Sequence, residues 1–127
     1  MMNLRITAVL GLALLLTGLG FGVKEYDAFH DVLHPLEHEA LPKGDFATIR
    51  SHAEELSKRG DAIVKLGVPA GIKTEQTEEF KKHLDEFAKA LVKFSADAES
   101  GTDADLKTSY SAVHDTFEEL AHMLPRK

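Results

Sequence analysis

The stretch from Phe80 to Phe94 constrains this chain most. Phe80, Leu84, Phe87, Leu91 and Phe94 recur at intervals of four and three, the period of an α-helix with one apolar stripe. Five large apolar groups on one side of a helix need other helices to cover them, and the sequence supplies three. A first helix is expected from about Glu25 to Leu41, with Phe29, Val32, Leu33, Leu36 and Ala40 turned inward. Pro42 and Gly44 end it. Pro35 removes a backbone donor midway, so the helix either kinks or restarts there. Asp45 reads as the N-cap of a second helix, where Phe46, Ile49, Ala53, Leu56, Gly60, Ile63 and Val64 recur at helical spacing before Gly67 and Pro69 stop it. The Phe80 stripe belongs to a third helix, opening at Thr74 and broken at Ser100-Gly101. Thr102, followed three residues later by Asp105, resembles a capping box for a fourth helix carrying Leu106, Tyr110, Val113, Phe117, Leu120 and Leu124, with Pro125 at its end. No segment alternates at the strand period. Short connections between four helices favour antiparallel neighbours. The expected fold is therefore all-α, an antiparallel up-down-up-down four-helix bundle after an N-terminal signal peptide.

The signal peptide is read over residues 1–22 and the bundle domain over 23–127. Arg5 supplies the positive start, and Ile6 to Leu19 is apolar apart from Thr7 and Thr17. Gly20 and Gly22 offer a small-x-small cleavage site that makes Val23 the first mature residue. The apolar run falls short of the roughly 20 residues that a membrane span needs. The expected destination is periplasmic or secreted. With no cysteine, the exported fold must stand without disulfides. The net charge of −6 argues against nucleic acid or an anionic membrane surface as partner and mildly favours cations.

Histidine is where chemistry enters. His30, His34 and His38 follow one another at intervals of four, which stacks them along one side of the first helix. A neutral imidazole nitrogen is a ready transition-metal ligand. Folding the chain at turns near residues 43, 70 and 100 brings His52 about level with His34, and His114 about level with residue 32, with His83 about one turn lower. Carboxylates keep step: Glu37 follows His34 by three, Glu55 follows His52 by three, and Glu118 follows His114 by four. Such spacings let His and Glu share a helix face, as metal sites in bundles require. The candidate ligands are His30, His34, His52, His114 and Glu37, for a divalent transition metal: copper, zinc or nickel. The absence of cysteine, with methionine only at Met1, Met2 and Met123, argues against a dedicated site for soft Cu(I).

Other readings stand beside this one. The same pairs also serve as surface ion pairs of small energetic value. In that case the chain is a cofactor-free structural or partner-binding bundle, joined to a second copy in a homodimer or to another protein. A hemerythrin-like di-iron site needs an inward HxxxE plus HxxxH set, and the sequence lacks a clean one. No enzyme is expected. Ser51 and His52 are adjacent on a helix and do not face each other, and no glycine-rich phosphate loop precedes a helix.

The run Tyr110-Ser-Ala-Val-His114-Asp-Thr-Phe117 resembles the C-terminal haem-attachment helix of the cytochrome c-prime family, where two cysteines precede the histidine as CxxCH. Here Tyr110 and Val113 stand at the cysteine positions, so covalent haem is excluded and His114 alone matches the axial ligand. The overall plan also resembles cytochrome b562, although the Met ligand of that type is missing from the first helix. The resemblance implies a bundle of this class without the haem anchor, able to hold a metal through side chains or haem non-covalently with His114 as one ligand. The runs LHPLEHEALPKGDF and AIVKLGVP resemble uncharacterised exported bacterial bundle proteins, which implies no activity.

Overall fold

The computed structural model describes residues 20–125, and the leader-like run before residue 20 lies outside them. All regular structure among the described residues is helical. Helix α1, Lys24–Pro35, runs directly into a π-helical segment, Leu36–Ala40. Helix α2 is Phe46–Ser51 and α3 is Ala53–Leu66. A 3-10 turn, Thr74–Gln76, leads into α4, Thr77–Ser100, and α5 is Asp103–Met123. Helices α4 and α5 pack along each other, and α3 packs on both α4 and α1. No helix among the described residues is long and apolar enough to cross a membrane.

The apolar stripes read from the sequence meet in one core. Phe29, Leu33, Leu36, Ile49, Leu56, Ile63, Phe80, Phe87, Leu91, Phe94, Leu106, Tyr110, Val113, Phe117 and Leu120 are all buried. The aromatic rings hold its middle. Phe29 lies 4.8 Å from Phe117 and 5.4 Å from Phe87, centroid to centroid.

The helix ends follow the expected chemistry. Asp45 accepts from the Thr48 amide at 3.2 Å and from the Thr48 hydroxyl at 2.7 Å. Thr102 and Asp105 close a full capping box: the Asp105 amide donates to the Thr102 hydroxyl at 3.0 Å, and the Thr102 amide to the Asp105 carboxylate at 3.3 Å. Gly44, at φ +68°, ends the first helical segment in a Schellman motif. Its amide donates to the Leu41 carbonyl, and the Asp45 amide donates to Ala40.

Two helices are less regular than their apolar period suggests. Pro35 has no N–H, and the chain answers by widening rather than breaking. The Leu36 amide reaches only to Leu33, and the Leu41 amide reaches back five residues to Leu36 at 2.8 Å. The second helix, expected as one piece, is divided at His52, where the backbone turns to φ −102° and ψ 3°. Local competition explains it. The Thr48 carbonyl, which a regular helix reserves for one amide, takes the Ser51 hydroxyl at 2.8 Å and lies 2.9 Å from His52 Nδ1.

The Arg50 side chain then ties the short α2 to the far turn. It donates to the carbonyls of Asp97, Ala98 and Gly101 at 3.0–3.1 Å and to the Asp103 carboxylate at 3.0 Å. These carbonyls lie at the end of α4, where Asp97 also accepts from the Gly101 amide at 2.8 Å, so one guanidinium ties the end of α4 to the start of α5.

Candidate metal centre

The sequence-expected ligands fall into two places. Glu37 and His114 meet where the π-helical segment faces α5, His30 packs over Phe117 of α5, and His34 touches His30 and His38 on its own side of the bundle. His114 Nε2 is 3.8 Å from Glu37 Oε1 and also 3.8 Å from Glu118 Oε2, so two helices supply carboxylates to one imidazole. The His114 and Glu37 side chains are each roughly one-quarter to one-third exposed, open enough for an ion to enter. Glu37 sits inside the π-helical segment, a type of segment often found at functional sites.

His30 is half-buried. Its ring meets Phe21 and His34, each at 5.4 Å, and lies over Phe117 at 6.4 Å. Burial, first, and the neighbouring His34, second, hold its pKa below the ordinary imidazole value, against the pull of Asp31, Glu118 and Asp27. A depressed pKa keeps this nitrogen neutral further into acid, which suits a ligand. His34 is exposed and stacks on His38 at 4.2 Å.

His52 stands apart from this group. Its hydrogen-bond neighbours are Thr48 and Ser51, and its ring lines a cavity of about 190 Å³ with Glu39, Lys43 and Asp45. His83 has its own carboxylates, Glu79, Glu86 and Glu119, at 3.3–3.8 Å between α4 and α5.

Among the described residues no group of three or more His, Asp or Glu side chains is drawn close enough to grip an ion as it stands. The His114 cluster misses by little. Ligands about 2.0–2.2 Å from a tetrahedral zinc lie roughly 3.3–3.5 Å apart. Each carboxylate lies 3.8 Å from His114 Nε2, a few tenths of an ångström beyond that spacing.

Two residues of this cluster were not among the expected ligands. Glu118 shares its carboxylate between His114 and His122, the latter at 3.7 Å. Its spacing of four from both histidines was the readable signal. Tyr110 counted in the sequence as a core residue and as the stand-in for a haem-attachment cysteine, yet its hydroxyl donates to Glu37 Oε1 at 3.0 Å. A buried tyrosine hydroxyl needs a partner, and that rule could have found the contact.

The two buried tyrosines make a test. Tyr110 and Tyr26 are both fully buried, and burial pushes both phenols far above their ordinary pKa. The Glu37 charge adds to the effect at Tyr110. Unlike Tyr110, Tyr26 has no partner for its hydroxyl. Tyr26→Phe is expected to leave stability unchanged or raise it by about 1 kcal/mol, because an unsatisfied hydroxyl leaves the core. Tyr110→Phe should cost about 1–2 kcal/mol, the lower part of the range for bonds to charged groups, since Glu37 keeps some contact with water. Urea denaturation of the two variants decides it, and the reverse order would overturn both assignments.

No family model, no curated protein and no solved structure matches this chain.

Proposed function

We propose that this chain is an exported antiparallel up-down-up-down helix bundle that takes up a divalent transition metal where α1 and α5 face each other. Pairing contacts support the bundle reading, because residue numbers rise on one helix as they fall on the other. Phe29 meets Phe117 while Glu37 meets Tyr110, and Ser57 meets Ser95 while Arg50 meets Asp97. The observation that carries the metal reading is the placement of Glu37 and Glu118, from two helices, at equal distance from one His114 nitrogen. Those three groups are the core of the site, and the neighbouring His30 and His34 supply further nitrogen. His52, held to its own helix turn, is left out. Copper, zinc and nickel all suit imidazole with carboxylate.

The carboxylates must swing in to close the site, so the ion completes it rather than entering a finished cage. An ion bridging α1 and α5 also stabilises the fold. At a hundredfold excess over Kd the gain is about 2.7 kcal/mol, a rise in melting temperature of roughly 10–20 °C for a domain of this size. Binding weakens as the solution is acidified, because a protonated ring cannot ligate. Calorimetric melting of untagged protein with each metal tests this. His114→Ala and Glu37→Gln should remove most of the shift, and His52→Ala should keep it. Absence of any shift with copper, zinc or nickel would favour the cofactor-free, partner-binding bundle. Equal loss in all three variants would mean dispersed surface chelation.

A further inference from the structure

The residues just ahead of α1 are part of the fold. The Phe21 ring packs edge-on against Phe117 at 5.6 Å and against His30 at 5.4 Å, and lies 6.4 Å from Tyr26. Its backbone nitrogen donates to Asp27 Oδ1 at 2.8 Å. Residue 20 runs hard by the same carboxylate: a Cβ there would sit 2.7 Å from Asp27 Oδ1. The sequence offers two small-x-small registers for leader removal, Gly18-Leu19-Gly20 and Gly20-Phe21-Gly22. A cut after Gly22 would discard the Phe21 ring and open the rings of Phe117 and His30 to water. A cut after Gly20 keeps it.

We propose that the leader is removed between Gly20 and Phe21, and that the new α-amino group docks on Asp27 as a built-in ion pair. The proposal rests on the export reading and fixes the boundary that the reading left two residues further on. The step is an ordinary peptide hydrolysis by a leader peptidase selective for small residues. Water adds its hydroxyl to the Gly20 carbonyl carbon, the C–N bond breaks, and the Phe21 nitrogen leaves with a proton and is protonated again near neutral pH. The nitrogen that donates one hydrogen in the uncut chain then offers three. It also carries a positive charge 2.8 Å from a carboxylate. Asp27 thereby changes from accepting one amide to anchoring the chain terminus, and Phe21 covers the half-buried face of His30.

The test is expression of the full chain with its own leader in an exporting bacterial host, followed by intact mass and N-terminal sequencing. A mature protein that begins at Phe21 supports the proposal. One that begins at Val23, or elsewhere, overturns it while leaving export standing. A chain that keeps residues 1–20 overturns the proposal and the reading of the N-terminal run as a cleaved signal peptide together. The docked terminus has a separate readout. In protein beginning at Phe21, the α-amino pKa followed by NMR should fall by about one unit in Asp27→Asn, because an opposite charge that close favours the ammonium. An unchanged value would sink the ion pair. Protein made to begin at Val23 should melt roughly 5–10 °C lower than protein beginning at Phe21, and equal melting would show that the ring contributes nothing.

Discussion

Phe117→Ala is expected to cost about 3–5 kcal/mol, the usual range for emptying a buried aromatic position. The ring is fully buried and central. Its centroid lies 4.8 Å from Phe29, 5.6 Å from Phe21, 5.8 Å from Tyr26 and 6.4 Å from Phe87 and His30. These neighbours come from α1, α4 and the segment ahead of α1, so no single helix can move to fill the hole without losing contacts elsewhere. A domain of ordinary stability has about 5–15 kcal/mol in all, which leaves the variant close to unfolding. Phe117→Leu keeps most of the volume and should lose far less. Urea denaturation at constant slope measures both, and a loss under 1 kcal/mol for the alanine variant would mean the ring is not the centre of the core. His30 gives a second readout. Water entering beneath its ring removes the burial that depresses its pKa, so the imidazole should titrate closer to its ordinary value in Phe117→Ala.

The apolar period placed this core correctly because it depends only on side-chain direction averaged over whole helices. Phe80, Leu84, Phe87, Leu91 and Phe94 are all buried, as are the inward positions of α5 from Leu106 to Leu124. Gly44, Gly67 and the Thr102–Asp105 pair were equally legible, since their roles are local and fixed by residue type. What the period could not carry was phase after an irregularity. The four-residue stacking of His30, His34 and His38 survives, with ring centroids 5.4 and 4.2 Å apart, but after Pro35 the Leu36–Ala40 segment that holds Glu37 winds more widely. Glu37, expected as a partner for His34 on its own helix, meets Tyr110 and His114 on another.

His52 lines a cavity with Pro35, Leu36 and Glu39, about the height expected, but its side chain is engaged at Thr48, where its own helix breaks. Arg50 gave no sequence signal at all. A basic residue on a helix flank looks the same whether it faces water or caps a helix three elements away.

Gly60→Leu carries the other large effect, and it separates two opposing terms at one position. Gly60 is buried where α3 crosses α4, and a Cβ there would stand 2.6 Å from Leu91 Cδ1 and 2.8 Å from Cδ2. Glycine within a helix forfeits about 1 kcal/mol relative to alanine through backbone freedom. Gly60→Ala recovers that amount but must push aside the Leu91 methyls. These are side-chain ends, although Leu91 is itself only 3% exposed. The two terms nearly cancel, so the alanine variant should stay within about 1 kcal/mol of the parent. Leucine at position 60 gains almost the same helix propensity but asks for space that Leu91 already fills. The helices must then separate, and the cost should reach about 3 kcal/mol, the upper end of ordinary overpacking. If crowding by Leu91 is the cause, removing its side chain should give much of the loss back. Leu91→Ala alone opens a cavity and costs about 2–5 kcal/mol, yet combined with Gly60→Leu it restores the volume across the contact. The double variant should therefore be more stable than the sum of the single losses implies, with a coupling of about 1–3 kcal/mol in a double-mutant cycle. Simple additivity would place the α3–α4 contact somewhere other than Gly60 on Leu91.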